Sequence, residues 1–248
     1  MTIKVGMTGS NGTVGGVLSE GLKDRYEIIG FDREPGPNTA FVVDLTQSNQ
    51  IRGAFQGLAA VIHLAADPDP GATWSSVREN NIEGTYNVFE ECCNSGVRQV
   101  VFATTNHTQH GDTVATTPET LDPFKKRHLR LNDPPNPDSL YAVSKLFGEN
   151  LGKYFSEQRG LDFVGLRIGW ITKENDASLM QGTKSEDYMR AMYLSHRDCV
   201  QAFSRALETD SRFLLGYAIS ANDRRVFDLG STIENLDFVP RDNAENDF

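Results

Sequence analysis

Tyr141-Ala142-Val143-Ser144-Lys145 sets a phenol and an amine four residues apart. On a helix that spacing puts both side chains on one face. A free phenol titrates near ~10, too high for a base at neutral pH. An ammonium beside it favours the phenolate and lowers that value. A tyrosine tuned in this way can take the proton of a hydroxyl while a hydride leaves the same carbon. The pair is common on ordinary amphipathic helices, so its meaning depends on what lies upstream.

Upstream is a glycine loop, Gly9-Ser10-Asn11-Gly12-Thr13-Val14-Gly15, directly after an apolar run. In the G-x-x-G-x-x-G pattern the first glycine permits a tight turn and the second lets backbone approach a pyrophosphate. The third allows close packing of helix on strand, and the helix N-terminus that follows favours phosphate charge. Asp32, at the end of the next apolar run, suits a carboxylate that bonds the adenosine ribose hydroxyls. A carboxylate there repels a 2′-phosphate and so favours NAD. Arg33 beside it could pair with that phosphate, which keeps NADP as the alternative.

Positioning these groups requires alternating strands and helices. Thr2–Thr8 reads as a buried strand, and Thr13–Lys23 as a helix with Val14, Val17, Leu18 and Leu22 on one face. Strands follow at Tyr26–Phe31, Phe41–Val43, Ala59–Leu64, Gln99–Ala103 and Phe163–Ile168. Helices are expected around Gln47–Phe55, Trp74–Ser95 and Ser139–Arg159. This order predicts an α/β fold, a doubly wound parallel sheet of Rossmann type. Beyond Gly169 the pattern weakens to a helix at Tyr188–Leu207 and a strand at Phe213–Ile219. The whole chain, 1–248, is read as one domain, with 169–248 forming a small substrate cap beyond the strand ends.

The chain has 248 residues and a formal charge of −10, with 34 acidic against 24 basic residues. That balance argues against sequence-independent nucleic-acid binding, which needs clustered cations. The run Lys125-Lys126-Arg127-His128 reads as a solvated loop. Arginine outnumbers lysine and the tail from Asp242 to Phe248 is acidic, which fits a salt-adapted source as well as an ordinary acidic protein. No apolar stretch is long enough for a membrane span, and no signal peptide precedes the first strand. Three cysteines, two of them adjacent (Cys92 and Cys93), suggest neither a disulfide framework nor a zinc site, so a reducing cytoplasm is expected and no metal is.

In order along the chain come Gly9–Gly15, Asp32, Asp44-Leu45, His63-Leu64-Ala65-Ala66, Asn81-Ile82-Glu83-Gly84-Thr85 and Tyr141–Lys145. Together they resemble the extended short-chain dehydrogenases, the NAD-dependent epimerase/dehydratases, from residue 2 to about residue 230. Thr104-Thr105-Asn106-His107, Arg167-Ile168-Gly169 and Tyr193-Leu194-Ser195 are similar to uronate dehydrogenases and to an archaeal NAD-dependent glucose-6-phosphate dehydrogenase group. The resemblance implies that Thr105 stands for a catalytic serine beside Tyr141 and Lys145. It implies cofactor contacts from Asp44, Leu45, Leu64, Ala65, Ala66, Asn81, Thr104 and Ile168. It further implies substrate contacts from Asp67, Pro68, Asn106 and His107, although a loop histidine packed on its own backbone is the rival reading of His107. Where uronate dehydrogenases carry an arginine suited to a sugar carboxylate, this chain has Tyr188. Arg190 is then the candidate stand-in. Trp170 is read either as a lid aromatic on the sugar or as core.

The implied activity is oxidation of a C1 hemiacetal hydroxyl of a uronate, aldose or sugar phosphate to a lactone. The alternatives are a nucleotide-sugar epimerase or dehydratase that retains its NAD, and a non-catalytic NAD-binding subunit. A homodimer through the two long helices is implied by the resemblance alone.

Overall fold

The computed structural model describes residues 2–111, 121–122 and 128–246; Lys125, Lys126 and Arg127 of the basic run, and the last two residues of the acidic tail, lie outside them. Seven parallel strands form one sheet in the order β3-β2-β1-β4-β5-β6-β7. They are β1 Ile3–Thr8, β2 Tyr26–Asp32, β3 Phe41–Val42, β4 Ala60–His63, β5 Gln99–Thr105, β6 Asp162–Ile168 and β7 Phe213–Ala218. The order reverses direction at β1, so the crevice above β1 and β4 is the switch point where ligands of such sheets bind.

Strand alternation sends successive residues to opposite faces. Val5 and Met7 of β1 and Val164 and Leu166 of β6 join one buried layer, with Leu18, Leu22 and Phe203 from the covering helices. Val61, Phe102 and Phe163 face the other layer, with Phe89 and Phe155. In that second layer Phe89 meets Phe102, Phe155 and Phe163 edge-on at 5.8–5.9 Å.

Helices α1 (Thr13–Leu22), α2 (Ser48–Ile51) and α3 (Trp74–Ser76) follow the first strands. The continuous helix expected from Trp74 contains a π-helical stretch, Val77–Glu83, before α4 (Gly84–Asn94). The long helix α5 (Leu140–Arg159) carries the Tyr/Lys pair. Ser139 caps it by accepting from the Ala142 N–H, and Gly160 ends it at φ 73°. A methyl group at Gly148 or Gly152 would overlap the ring of Phe102 or Phe163. Only glycine lets this helix approach the sheet so closely.

After β6 the chain forms α6 (Glu186–Ala191), α7 (His196–Glu208) and α8 (Gly230–Leu236). The single helix expected over Tyr188–Leu207 is therefore two. Between them Trp170 N–H donates to Met192 O (2.8 Å) and Leu194 N–H to Trp170 O (2.7 Å), which holds this stretch extended. Ser195 then restarts the helix by accepting from Asp198 N–H (3.1 Å). Asp198 in turn receives the Arg241 and Asp242 N–H groups (2.9 and 3.0 Å), and Asn222 Oδ1 receives Ala244 N–H (2.9 Å). The chain after α8 is thereby fastened across the molecule, with Ala244 buried against Tyr193 and Trp170. Among the described residues no helix is long and apolar enough to cross a membrane.

Candidate active site

A cavity of ≈ 1050 Å³ opens over the carboxyl ends of β1, β2, β4, β5 and β6. One end is walled by Gly9, Asn11–Gly15, Asp32, Arg33, Asp44 and Leu45. Gly9 has φ +69°, and a Cβ there would lie 2.7 Å from Ala65 N; a Cβ on Gly15 would lie 2.5 Å from Ser10 O. No side chain caps the start of α1, so its first-turn N–H groups stay available at the cavity edge. Asp32 accepts from Asn11 N–H (3.0 Å) and Glu34 N–H (3.3 Å), which fixes its carboxylate at the same rim. A turn that excludes side chains, a helix N-terminus and a fixed carboxylate are the donor set of a dinucleotide cradle.

At the other end lie Ala65, Ala66, Asp67, Pro68, Asn106, His107 and Trp170, with Leu64, Thr104, Thr105, Tyr141, Lys145 and Ile168 between. Local capping builds this wall. Thr105, the last residue of β5, accepts from His107 N–H (3.2 Å) and so turns the chain into a short helical turn, Asn106–Thr108. Thr108 Oγ1 donates back to Thr105 O (2.9 Å).

Lys145 donates from Nζ to Ala103 O (2.7 Å) and lies 5.8 Å from the centre of the Tyr141 ring. Burial pushes the Lys145 amine down to about 7. Burial pushes the Tyr141 phenol up to about 12, with a hydrogen bond to Thr105 opposing and the Asp138 carboxylate adding to the rise. The spacing alone predicts a depressed phenol; here desolvation wins. Beneath them His63 sits between Thr8 Oγ1 (2.7 Å) and Thr85 Oγ1 (3.1 Å), pushed by burial, and then by Lys145, down to about 3.

The family of the chain follows from its first two thirds. Residues 5–172 match the model of the NAD dependent epimerase/dehydratase family. The chain belongs to that family. NAD is thus the dinucleotide that the cradle fits. An L-arabinose 1-dehydrogenase (NAD(P)(+)) of Haloferax volcanii is 39% identical, over 97% of this chain and 97% of its own. An NAD-dependent glucose-6-phosphate dehydrogenase of the same organism is 34% identical over 96% and 93%. Among solved structures, a uronate dehydrogenase mutant from Agrobacterium tumefaciens complexed with NAD superimposes with a TM-score of 0.81 at 28% identity, covering 99% of this chain and 87% of that one.

Two expected site residues of this family member lie elsewhere. Arg190 does not line the cavity: it pairs with Glu186 (3.1 Å), one turn back on α6, and donates to Ala244 O (3.3 Å). Asn81 stands behind the wall, donating to Asp67 O and Ser144 Oγ (both 3.0 Å) and accepting Asp67 N–H (2.7 Å). It ties the loop after β4 to the helix that carries Tyr141. Trp170 lines the cavity and is half-buried, packing edge-on to Tyr193 at 5.8 Å.

Several wall residues carried no sequence signal, among them Ser76, Asn80, His110, Met189 and Met192. His110 lies against His107 with ring centres 4.2 Å apart and the rings tilted by 31°, and it meets Tyr188 edge-on at 4.8 Å. Burial pushes His110 down to about 4, His107 acting in the same direction and Asp138 against it. His107, His110 and Asp138 bring one potential ligand atom each within 4.8 Å of one another, and His107 Nδ1 meets Asp138 Oδ2 at 2.8 Å. Behind Thr104, whose hydroxyl donates to Glu149 Oε1 (2.8 Å), a buried Glu149–Arg167 ion pair (2.8 Å) braces β6 against α5.

Proposed function

We propose that this protein is an NAD-dependent dehydrogenase that oxidises the C1 hemiacetal hydroxyl of a sugar to a lactone. The reading is carried by one juxtaposition: Thr105, Tyr141 and Lys145 lie on the wall of the same cavity that the dinucleotide cradle opens into. The sugar dehydrogenases among its relatives support it.

In this reading Gly9, Asn11–Gly15, Asp32, Arg33, Asp44 and Leu45 hold the adenosine and diphosphate end. Leu64–Ala66, Thr104, Ile168 and Lys145 hold the remainder. NAD held by these residues would supply the acceptor for the hydride leaving the sugar carbon. Thr105 orients the reacting oxygen, since its hydroxyl both donates and accepts. Tyr141 takes the hydroxyl proton as the phenolate, its own proton having first passed toward the Lys145 amine or to solvent. Lys145, poised near neutrality and anchored on Ala103 O, holds or releases a proton beside the phenol. Asp67, Pro68, Asn106, His107 and Trp170 shape the sugar recess, and residues 169–248 cap it within a single domain. Tyr86, Val143 and Tyr154 are exposed apolar residues on the two long helical segments, which supports a homodimer through them.

The test is NADH absorbance with purified protein, NAD and a panel of free sugars, sugar acids, sugar phosphates and one nucleotide sugar. Steady NADH formation with a free sugar is expected. Tyr141→Phe should lower turnover by about 10²–10⁴-fold while NAD still binds. An undiminished rate in that variant would remove Tyr141 as the base.

A further inference from the structure

We propose that His107, His110 and Asp138 form a binding site for one divalent cation of the zinc class, on the wall of the cavity.

Two short stretches of backbone bring the three side chains together. His107 lies in the turn Asn106–Thr108, which Gln109 N–H closes on Asn106 O (3.0 Å), and His110 follows at once. A separation of three residues puts both imidazoles on one side of a helical turn. Asp138 comes from the stretch ahead of α5. That stretch is tied to the turn through main chain alone: Asn136 N–H donates to Thr108 O (2.8 Å) and Gly111 N–H to Asn136 O (3.1 Å). Backbone therefore sets the spacing of the three ligands. No spacing in the sequence announces them, since Asp138 stands 31 residues beyond His107.

His107 Nδ1 lies 2.8 Å, and His110 Nδ1 3.8 Å, from the same Asp138 Oδ2. One ligand atom from each residue falls within 4.8 Å of the others. Around a tetrahedral zinc ion with bonds of about 2.0–2.2 Å, neighbouring ligand atoms stand about 3.4 Å apart. The two distances to Asp138 bracket that value, so side-chain shifts of about half an ångström seat the ion. Asp138 Oδ1 accepts from the Ser139 hydroxyl (2.8 Å), an outer contact of the kind that orients metal-binding carboxylates.

Two imidazoles and one carboxylate suit zinc and its neighbours, whereas magnesium and calcium take oxygen ligands. Three protein ligands leave a fourth position for water or another oxygen. Both histidines line the cavity, which gives the ion its way in. Asp138 supplies the charge to meet the cation. Lys145, the amine on the same cavity, is engaged with Ala103 O (2.7 Å) and the Phe102 ring (4.7 Å).

The experiment adds Zn²⁺ alone to the full chain without an affinity tag, and follows it by titration calorimetry and thermal unfolding. Wild type should take up one ion per chain and melt at a higher temperature with the ion bound. His110→Asn and Asp138→Asn should each weaken uptake by at least about tenfold and lose the rise in Tm. Binding of NAD checks that each variant is folded. Mg²⁺ in equal amount should not compete. Co²⁺ in place of zinc should give wild type the strong visible absorption of a four-coordinate ion, and neither variant should show it. Equal zinc affinity in wild type and both variants would place the ion elsewhere on the chain and overturn the assignment. No uptake by wild type overturns it too, as does a cobalt spectrum as faint as that of the hydrated ion. These readouts are of binding, so they stand or fall separately from the oxidation of a sugar.

Discussion

Glu149→Ala should be among the most damaging single changes outside the reacting groups. Glu149 and Arg167 side chains are each 5% exposed and meet through two parallel bonds, Nε to Oε1 at 2.9 Å and Nη2 to Oε2 at 2.8 Å. Removing one partner of a buried pair leaves an uncompensated charge and costs about 3–5 kcal/mol. The Thr104 hydroxyl loses its acceptor as well, at about 1–3 kcal/mol. Arg167 keeps Gln109 Oε1 (3.0 Å), a longer contact to Leu131 O (3.4 Å) and the Tyr217 ring at 5.9 Å, too little to offset this. Against a total stability of about 5–15 kcal/mol, the loss is a large share. At about 2–4 °C per kcal/mol for a chain of this size, a loss of about 4 kcal/mol lowers Tm by roughly 8–16 °C. The assay is thermal and denaturant unfolding of wild type, Glu149→Ala, Arg167→Met and the double variant Glu149→Leu/Arg167→Met. The apolar pair should recover much of the loss, because neither charge is then stranded. A single variant within about 1 kcal/mol of wild type, or a double variant as unstable as the two singles summed, would refute this account of the brace.

Three further outcomes follow from the site. Asp32→Ser should move the NADP-to-NAD ratio of kcat/KM toward NADP by about 10-fold or more, since the carboxylate that opposes a 2′-phosphate is gone; steady-state kinetics with both cofactors checks this. Lys145→Met should abolish turnover yet raise stability at pH 7. The folded amine sits near 7 against an ordinary 10.5, so the unfolded chain binds more protons between those values and stability rises with pH there. The gain in Tm should therefore be largest near or below pH 7 and vanish above about pH 10.5. Gly152→Ala should cost about 1–3 kcal/mol by driving a methyl group into the Phe163 ring, read as a lower melting temperature.

The parts of the site made from short sequence spans were legible. The glycine loop and the Tyr141/Lys145 pair are each local, and every strand was placed to within two residues. Features that depend on distant chain were not. The direction of Arg190 depends on Ala244, and the break before Ser195 depends on Trp170. The upward shift of Tyr141 comes from burial, which spacing does not encode. The His107–Asp138 contact joins residues 31 apart, and the strands expected to end at Ala103 and Phe31 extend to Thr105 and Asp32. The acidic and polar character of those last residues hides strand that functions as the rim of the cavity.

The fastening of residues 241–244 has a practical side. Ala244 packs behind Trp170 and receives Arg190 on its carbonyl, so one stretch of backbone near the end of the chain supports both the aromatic wall and the helix beside it. Cargo inserted directly beside residue 244, such as an affinity handle or a fluorescent reporter, would pull on the cavity wall through Trp170 and Arg190. Kinetic comparisons between differently tagged preparations would then mix chemistry with mechanics, most visibly in KM for the sugar.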